Sequence, residues 1–154
     1  MAVTIIGSKN GWFPQGGYTR DDELQLREIS DGAIAADTEG SDVTSGFTRG
    51  KLHSLFIKVS AADYTTGDEE YFIMMEEYLP ATSPAASHGA GWYYIQGSMI
   101  KLGYTDDSPA VIDTGLYHAV FRVHRDATKI RYAVDVEGTS PSVTLDINLG
   151  LTAS

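Results

Sequence analysis

The chain has 154 residues, no cysteine and a net charge of −10. That length sets one domain with a real core as the prior, and the missing cysteines exclude disulfides, thiolate zinc sites, iron–sulfur clusters and a cysteine nucleophile. The acidity argues against a broad nucleic-acid or anionic-membrane surface, and no apolar run approaches the ~20 residues of a membrane helix.

The first 23 residues read as an irregular arm. They hold Gly7, Gly11, Gly16 and Gly17 among polar residues, with Trp12, Phe13 and Tyr18 as isolated aromatic anchors. Met1 to Trp12 contains one lysine and no long apolar stretch, so no secretory leader is expected. Buried aromatics tend to dominate interfaces, so Trp12, Phe13 and Tyr18 are the candidate partner-binding residues of a docking arm. They suit folding back on their own domain equally well.

Residues 24–154 read as one β domain. Strand patterns occur at 24–29, 52–59, 71–78, 92–100, 116–124, 129–137 and 142–149. The clearest is 129–137, where Ile130, Tyr132, Val134 and Val136 alternate with Lys129, Arg131, Ala133, Asp135 and Glu137. In 142–149, Val143, Leu145, Ile147 and Leu149 alternate with polar residues. The Gly138-Thr139-Ser140-Pro141 link between them has turn composition, which predicts an antiparallel hairpin. Within 92–100, Gly97-Ser98 predicts a bulge or a close packing site. Residues 79–91, rich in Pro, Ala, Ser and Gly, predict a surface loop. Short strands at this spacing, with no helical stripe, predict an all-β antiparallel sandwich, jelly-roll-like.

Chemistry is sparse. His118 and His124 fall on one face of one predicted strand, but roughly 20 Å apart, too far to share a metal. His53 and His88 read as a partly buried strand residue and an exposed loop residue. Asp31, Asp37, Glu39 and Asp42 form an oxygen-rich stretch, yet their spacing matches no calcium loop. Asp68-Glu69-Glu70 and Glu76-Glu77 are no evident catalytic pair, because neighbouring acids on a strand point to opposite faces. No nucleophile elbow, phosphate loop, dinucleotide fingerprint or His-Glu-x-x-His motif is present. The expectation is a non-enzyme with no cofactor and no metal. The run Trp92-Tyr93-Tyr94 sends Tyr93 to one face and Trp92 with Tyr94 to the other. Such rings serve as core and sheet contact, or as an exposed platform for sugars.

The segment 63–151 resembles a family of small bacteriophage capsid cement, or decoration, proteins. The resemblance rests on Gly67-Asp68-Glu69-Glu70-Tyr71, Leu102-Gly103, Asp113-Thr114-Gly115-Leu116-Tyr117, Ile130-Arg131-Tyr132 and Gly138-Thr139-Ser140-Pro141-Ser142-Val143, in that order. It implies a structural virion protein, made in the bacterial cytoplasm and placed on the capsid exterior. Its implied partners are the major capsid protein and itself, as a homotrimer, with no nucleic acid and no membrane. Avidity on a symmetric lattice would make each modest contact effective. The alternative is a carbohydrate-binding or receptor-binding β-sandwich module. It predicts Trp92 and Tyr94 exposed together, whereas cement predicts those rings buried in the core or a subunit contact. A small hydrolase, the third reading, predicts two carboxylates, or a His and a carboxylate, converging in one cleft.

Overall fold

The computed structural model describes residues 24–103 and 115–151. Within these residues, nine strands build two antiparallel sheets. The first sheet contains β1 (Leu24–Arg27), β3 (Leu52–Ala62), β7 (Gly115–Arg122) and β9 (Val143–Leu151), in the order β1-β9-β3-β7. The second contains β2 (Thr38–Glu39), β4 (Glu70–Leu79), β5 (Gly91–Tyr94), β6 (Ile100–Gly103) and β8 (Lys129–Glu137). Its order is β2-β8-β4, with β5 and β6 end to end along the free edge of β4. The all-β antiparallel sandwich expected from the alternation is the observed fold.

The alternating residues meet between the sheets. Tyr71, Ile73 and Met75 of β4, with Ile130 and Val134 of β8, face Leu55, Ile57 and Val59 of β3 and Leu145, Ile147 and Leu149 of β9. All are essentially without solvent contact. Each such side chain contributes roughly 1.5–3 kcal/mol by leaving water, and that burial holds the two sheets together. Tyr71 adds a polar tie across the layers. Its hydroxyl donates to the Asp63 carbonyl and accepts from Ser142 N at 3.0 Å.

Two expectations are corrected. The 129–149 stretch is not a hairpin. β8 pairs with β2 and β4, while β9 pairs with β1 and β3 in the other sheet. The link is instead anchored across the sandwich end. Asp68 accepts from Thr139 N at 3.1 Å and from its hydroxyl at 2.7 Å, and Gly138, at φ +110, packs against the Asp68–Glu69 backbone. A side chain there would meet Glu69 Cα at 2.7 Å. With both edges of β8 occupied, the chain crosses to the first sheet rather than folding back alongside β8.

Residues 92–100 are likewise not one strand. They break between β5 and β6 at a turn where Gly97 has φ +87 and Ser98 is fully buried. The Ser98 hydroxyl accepts from Met75 N at 3.0 Å and donates to Ile95 O at 2.6 Å. A side chain thereby takes the place of strand backbone opposite Met75. The close packing expected at Gly97-Ser98 is present.

Candidate functional site

Alternation on β4, β5 and β8 fills the core with one set of residues and turns the other set outward. Register then decides which outward side chains meet. Tyr78 lies opposite Trp92 on one side and Lys129 on the other, and Glu76 lies opposite Tyr94 and Arg131. Farther along, Phe72 lies opposite Lys101 and Asp135. From Tyr78 to Phe72 this face runs about 20 Å at ~3.4 Å per residue.

The upper end is an aromatic platform. Tyr78 meets Trp92 edge to face, centroids 5.5 Å apart at 78°. The Arg131 guanidinium lies 4.1 Å from the Trp92 centroid, and Lys129 Nζ lies 4.8 Å from that of Tyr78 and 5.3 Å from that of Trp92. Both cations are held by carboxylates. Arg131 Nε donates to Glu76 Oε1 at 3.2 Å, and Lys129 Nζ to Asp42 Oδ2 at 2.7 Å. Paired cations on ring faces lock the rings while leaving the surface polar at its margin. Trp92 and Tyr78 are half-buried, and Tyr94 is 43% exposed. Tyr93 faces the other way, packs on the core, and donates its hydroxyl to Gly89 O at 2.7 Å. The split of Tyr93 from Trp92 and Tyr94 is thus as expected, and the outward pair joins a platform instead of the core.

The lower end is acidic. Asp135 is pushed above the usual carboxylate range by partial burial and then by the charges of Asp37 and Glu39. Asp37 itself accepts from Val136 N at 2.9 Å. Lys101 pairs with Glu70 at 3.4 Å and lies 5.3 Å from the Phe72 centroid.

The other candidates from the sequence are accounted for singly. His53 is fully buried; its Nε2 accepts from Thr48 N at 3.1 Å and its Nδ1 sits 2.9 Å from Lys51 O. Burial lowers its pKa, so it stays neutral. His118 stacks on Phe56 at 4.7 Å. His124 lies beyond the end of β7, contrary to the expectation of one continuous strand, and its Nδ1 accepts from Asp126 N at 3.0 Å. His88 is exposed in the loop before β5. Glu77 is buried and accepts from His124 N at 2.7 Å, and burial raises its pKa. Glu69 is buried under the 66–67 turn and accepts from the Thr66 hydroxyl and from Gly67 N, which lowers its pKa. Asp31 accepts from Glu28 N, so the Asp31–Asp42 stretch spends its carboxylates on separate tasks. Among the described residues, no three His, Asp or Glu form a metal-binding group. Trp12, Phe13 and Tyr18 lie outside the described residues.

Sequence reading alone missed Tyr78, Lys129 and Arg131 as members of the platform. Their alternation was visible, but the pairing of β4 with β8 is a contact between segments some fifty residues apart.

No family model and no curated protein sequence matches the chain. Among solved structures, it is similar to the CBM22-1–GH10 modules of endo-1,4-β-D-xylanase 10B from Clostridium thermocellum, complexed with xylohexaose. The TM-score is 0.50 at 11% identity, over 91% of this chain and 28% of that one. The chain therefore spans less than a third of that protein's length. It is also similar to the C-terminal family 22 carbohydrate-binding module of the same xylanase (TM-score 0.47, 12% identity, 92% and 96% covered). A xylan-binding domain of that family matches with TM-score 0.45 at 13% identity, covering 91% and 97%. At these identities the likeness speaks to the sandwich fold alone.

Proposed function

We propose that this protein is a non-catalytic carbohydrate-binding module whose ligand lies on the outward face of the second sheet. The observation that carries the reading is the platform of Tyr78, Trp92 and Tyr94, turned out of the core, with the ion-paired Arg131 and Lys129 held against the Trp92 and Tyr78 rings. A sugar ring has an apolar face of C–H bonds and an equator of hydroxyls. Flat aromatic side chains suit the first, and carboxylates and guanidinium groups suit the second. The ~20 Å run of the face suits an extended chain of several sugar units better than a single one. A solved relative in fold, complexed with xylohexaose, makes xylo-oligosaccharides the first ligands to try.

A glycan array followed by calorimetry tests this. The expected result is binding to a soluble oligosaccharide that Trp92→Ala and Tyr94→Ala each weaken. Absence of binding to any glycan would reject it. The capsid-cement reading rests on the resemblance over residues 63–151 alone, and co-sedimentation with emptied phage shells is its test.

A further inference from the structure

Beside the platform, on the far side of β8, a cavity of about 270 Å³ opens between β1 and the 41–45 stretch. That stretch runs along β8 as an improvised edge. Val43 N donates to Ile130 O at 2.8 Å, and Ile130 N to Val43 O at 3.0 Å. The row Trp92, Tyr78, Lys129 on the platform reaches the rim of this cavity at the edge of the sandwich, because Lys129 Nζ bonds Asp42 and Asp42 lines the cavity. The platform and the cavity are therefore joined by one ion pair.

The walls are of two kinds. Leu24 and Val43 supply apolar surface, and the Tyr132 ring lies with them. The Tyr132 hydroxyl is fixed by Arg27 Nη1 at 3.0 Å. Ser41, Thr44 and Ser45, on the same stretch as Val43, add hydroxyls to the lining; all three residues are exposed, and among the described residues their hydroxyls have no hydrogen-bond partner within the protein. Asp42, the carboxylate in the lining, is neutralised by Lys129. A compact molecule that carries both hydroxyls and C–H groups fits this mixed lining. The volume is that of about nine water molecules at ~30 Å³ each, room for one sugar unit and too small for a chain of sugars.

We infer that this cavity takes one sugar unit, a branch or an end of the glycan whose main chain lies across the platform. The inference rests on the carbohydrate reading above and adds a preference, for decorated over plain chains, that the platform alone does not supply.

The test compares two probes by calorimetry on the full chain. One is xylohexaose. The other is a xylo-oligosaccharide of equal backbone length carrying a single arabinose branch. The branched probe is expected to bind about tenfold more tightly, a difference of ~1.4 kcal/mol. Thr44→Trp, which fills the cavity from an exposed position, should erase that difference and leave xylohexaose binding unchanged. Equal affinity for the two probes in the unmodified protein would overturn the inference. A second measurement separates the two levels of the argument. Free arabinose should shift the methyl resonances of Val43 and Thr44. If those shifts occur while neither oligosaccharide binds, the cavity stands and the platform reading falls. If the oligosaccharides bind equally and arabinose moves neither methyl group, the platform stands and the cavity subsite is rejected.

Discussion

The two faces of the second sheet are made by the same strands and do opposite work. Inward, β4 and β8 present Tyr71, Ile73, Met75, Ile130 and Val134, all at 0% exposure. Outward, they present Phe72, Glu76, Tyr78, Lys129 and Arg131, all only partly buried and mostly tied to one another by ion pairs or ring contacts. The inward face gains its stability from area removed from water, and any loss of volume there is felt by the whole fold. The outward face contributes less to folding, because ion pairs that keep partial contact with water are worth about 1 kcal/mol or less each. What it gains is rigidity: rings held at fixed tilt in front of solvent. A strand with period two can therefore carry a core and a recognition surface without compromise between them.

Substitutions on the inward face should be the most damaging. Ile73→Ala is expected to destabilise the protein by about 2–5 kcal/mol in denaturant unfolding, through lost burial and a cavity. Gly138→Ala, at the crossing between sheets, should cost about 1–3 kcal/mol, because it combines a left-handed φ with backbone contact at 2.7 Å. A loss of under half a kcal/mol would mean that the Asp68–Thr139 anchor does not fix that link.

On the outward face the pattern should invert. Tyr94→Ala is expected to change stability by no more than about 0.5 kcal/mol while weakening oligosaccharide binding at least tenfold. A large stability loss without a binding loss would make Tyr94 a structural residue and erase the contrast between faces.

The adjacent pair Glu76 and Glu77 sharpens the comparison through pH. Glu77 points inward, and burial raises its pKa above the ordinary 4.5. Its proton is held more tightly in the fold than in the unfolded chain. The stability linked to it is complete below about pH 4.5 and is lost as pH rises through the elevated value. Glu77→Gln should remove that decline while keeping an acceptor for His124 N. Glu76→Gln, on the other face, should leave the decline in place. His53 acts with the opposite sign. Burial depresses its pKa below 6.5, so its contribution is full above that pH and fades as acid protonates it. The unfolding midpoint measured across pH for these variants separates the effects.

The strands themselves were legible in the sequence, because alternation in 129–137 and 142–149 is a local signal. Their partition between layers was not. The link of Gly138 to Pro141 looks like a hairpin turn, but both edges of β8 are taken by segments far away in sequence, Asp68 anchors Thr139, and β9 pairs with β1 and β3 in the other sheet. The break at Gly97-Ser98 was half legible: the glycine marked a disturbance, but the Ser98 bond to Met75 that ends the strand depends on tertiary placement. The platform followed the same rule. Trp92 and Tyr94 were read as facing one way, whereas Tyr78, Lys129 and Arg131 joined them through strand register, which local pattern does not encode.

The most direct measurement is an amide and side-chain NMR titration of the full chain with xylohexaose. The account predicts shifts concentrated in the indole of Trp92 and in Tyr78, Tyr94, Glu76 and Arg131, with the inward residues of the same strands unmoved. Shifts centred on the first sheet, or none at all with xylohexaose and with a wider set of soluble glycans, would contradict it.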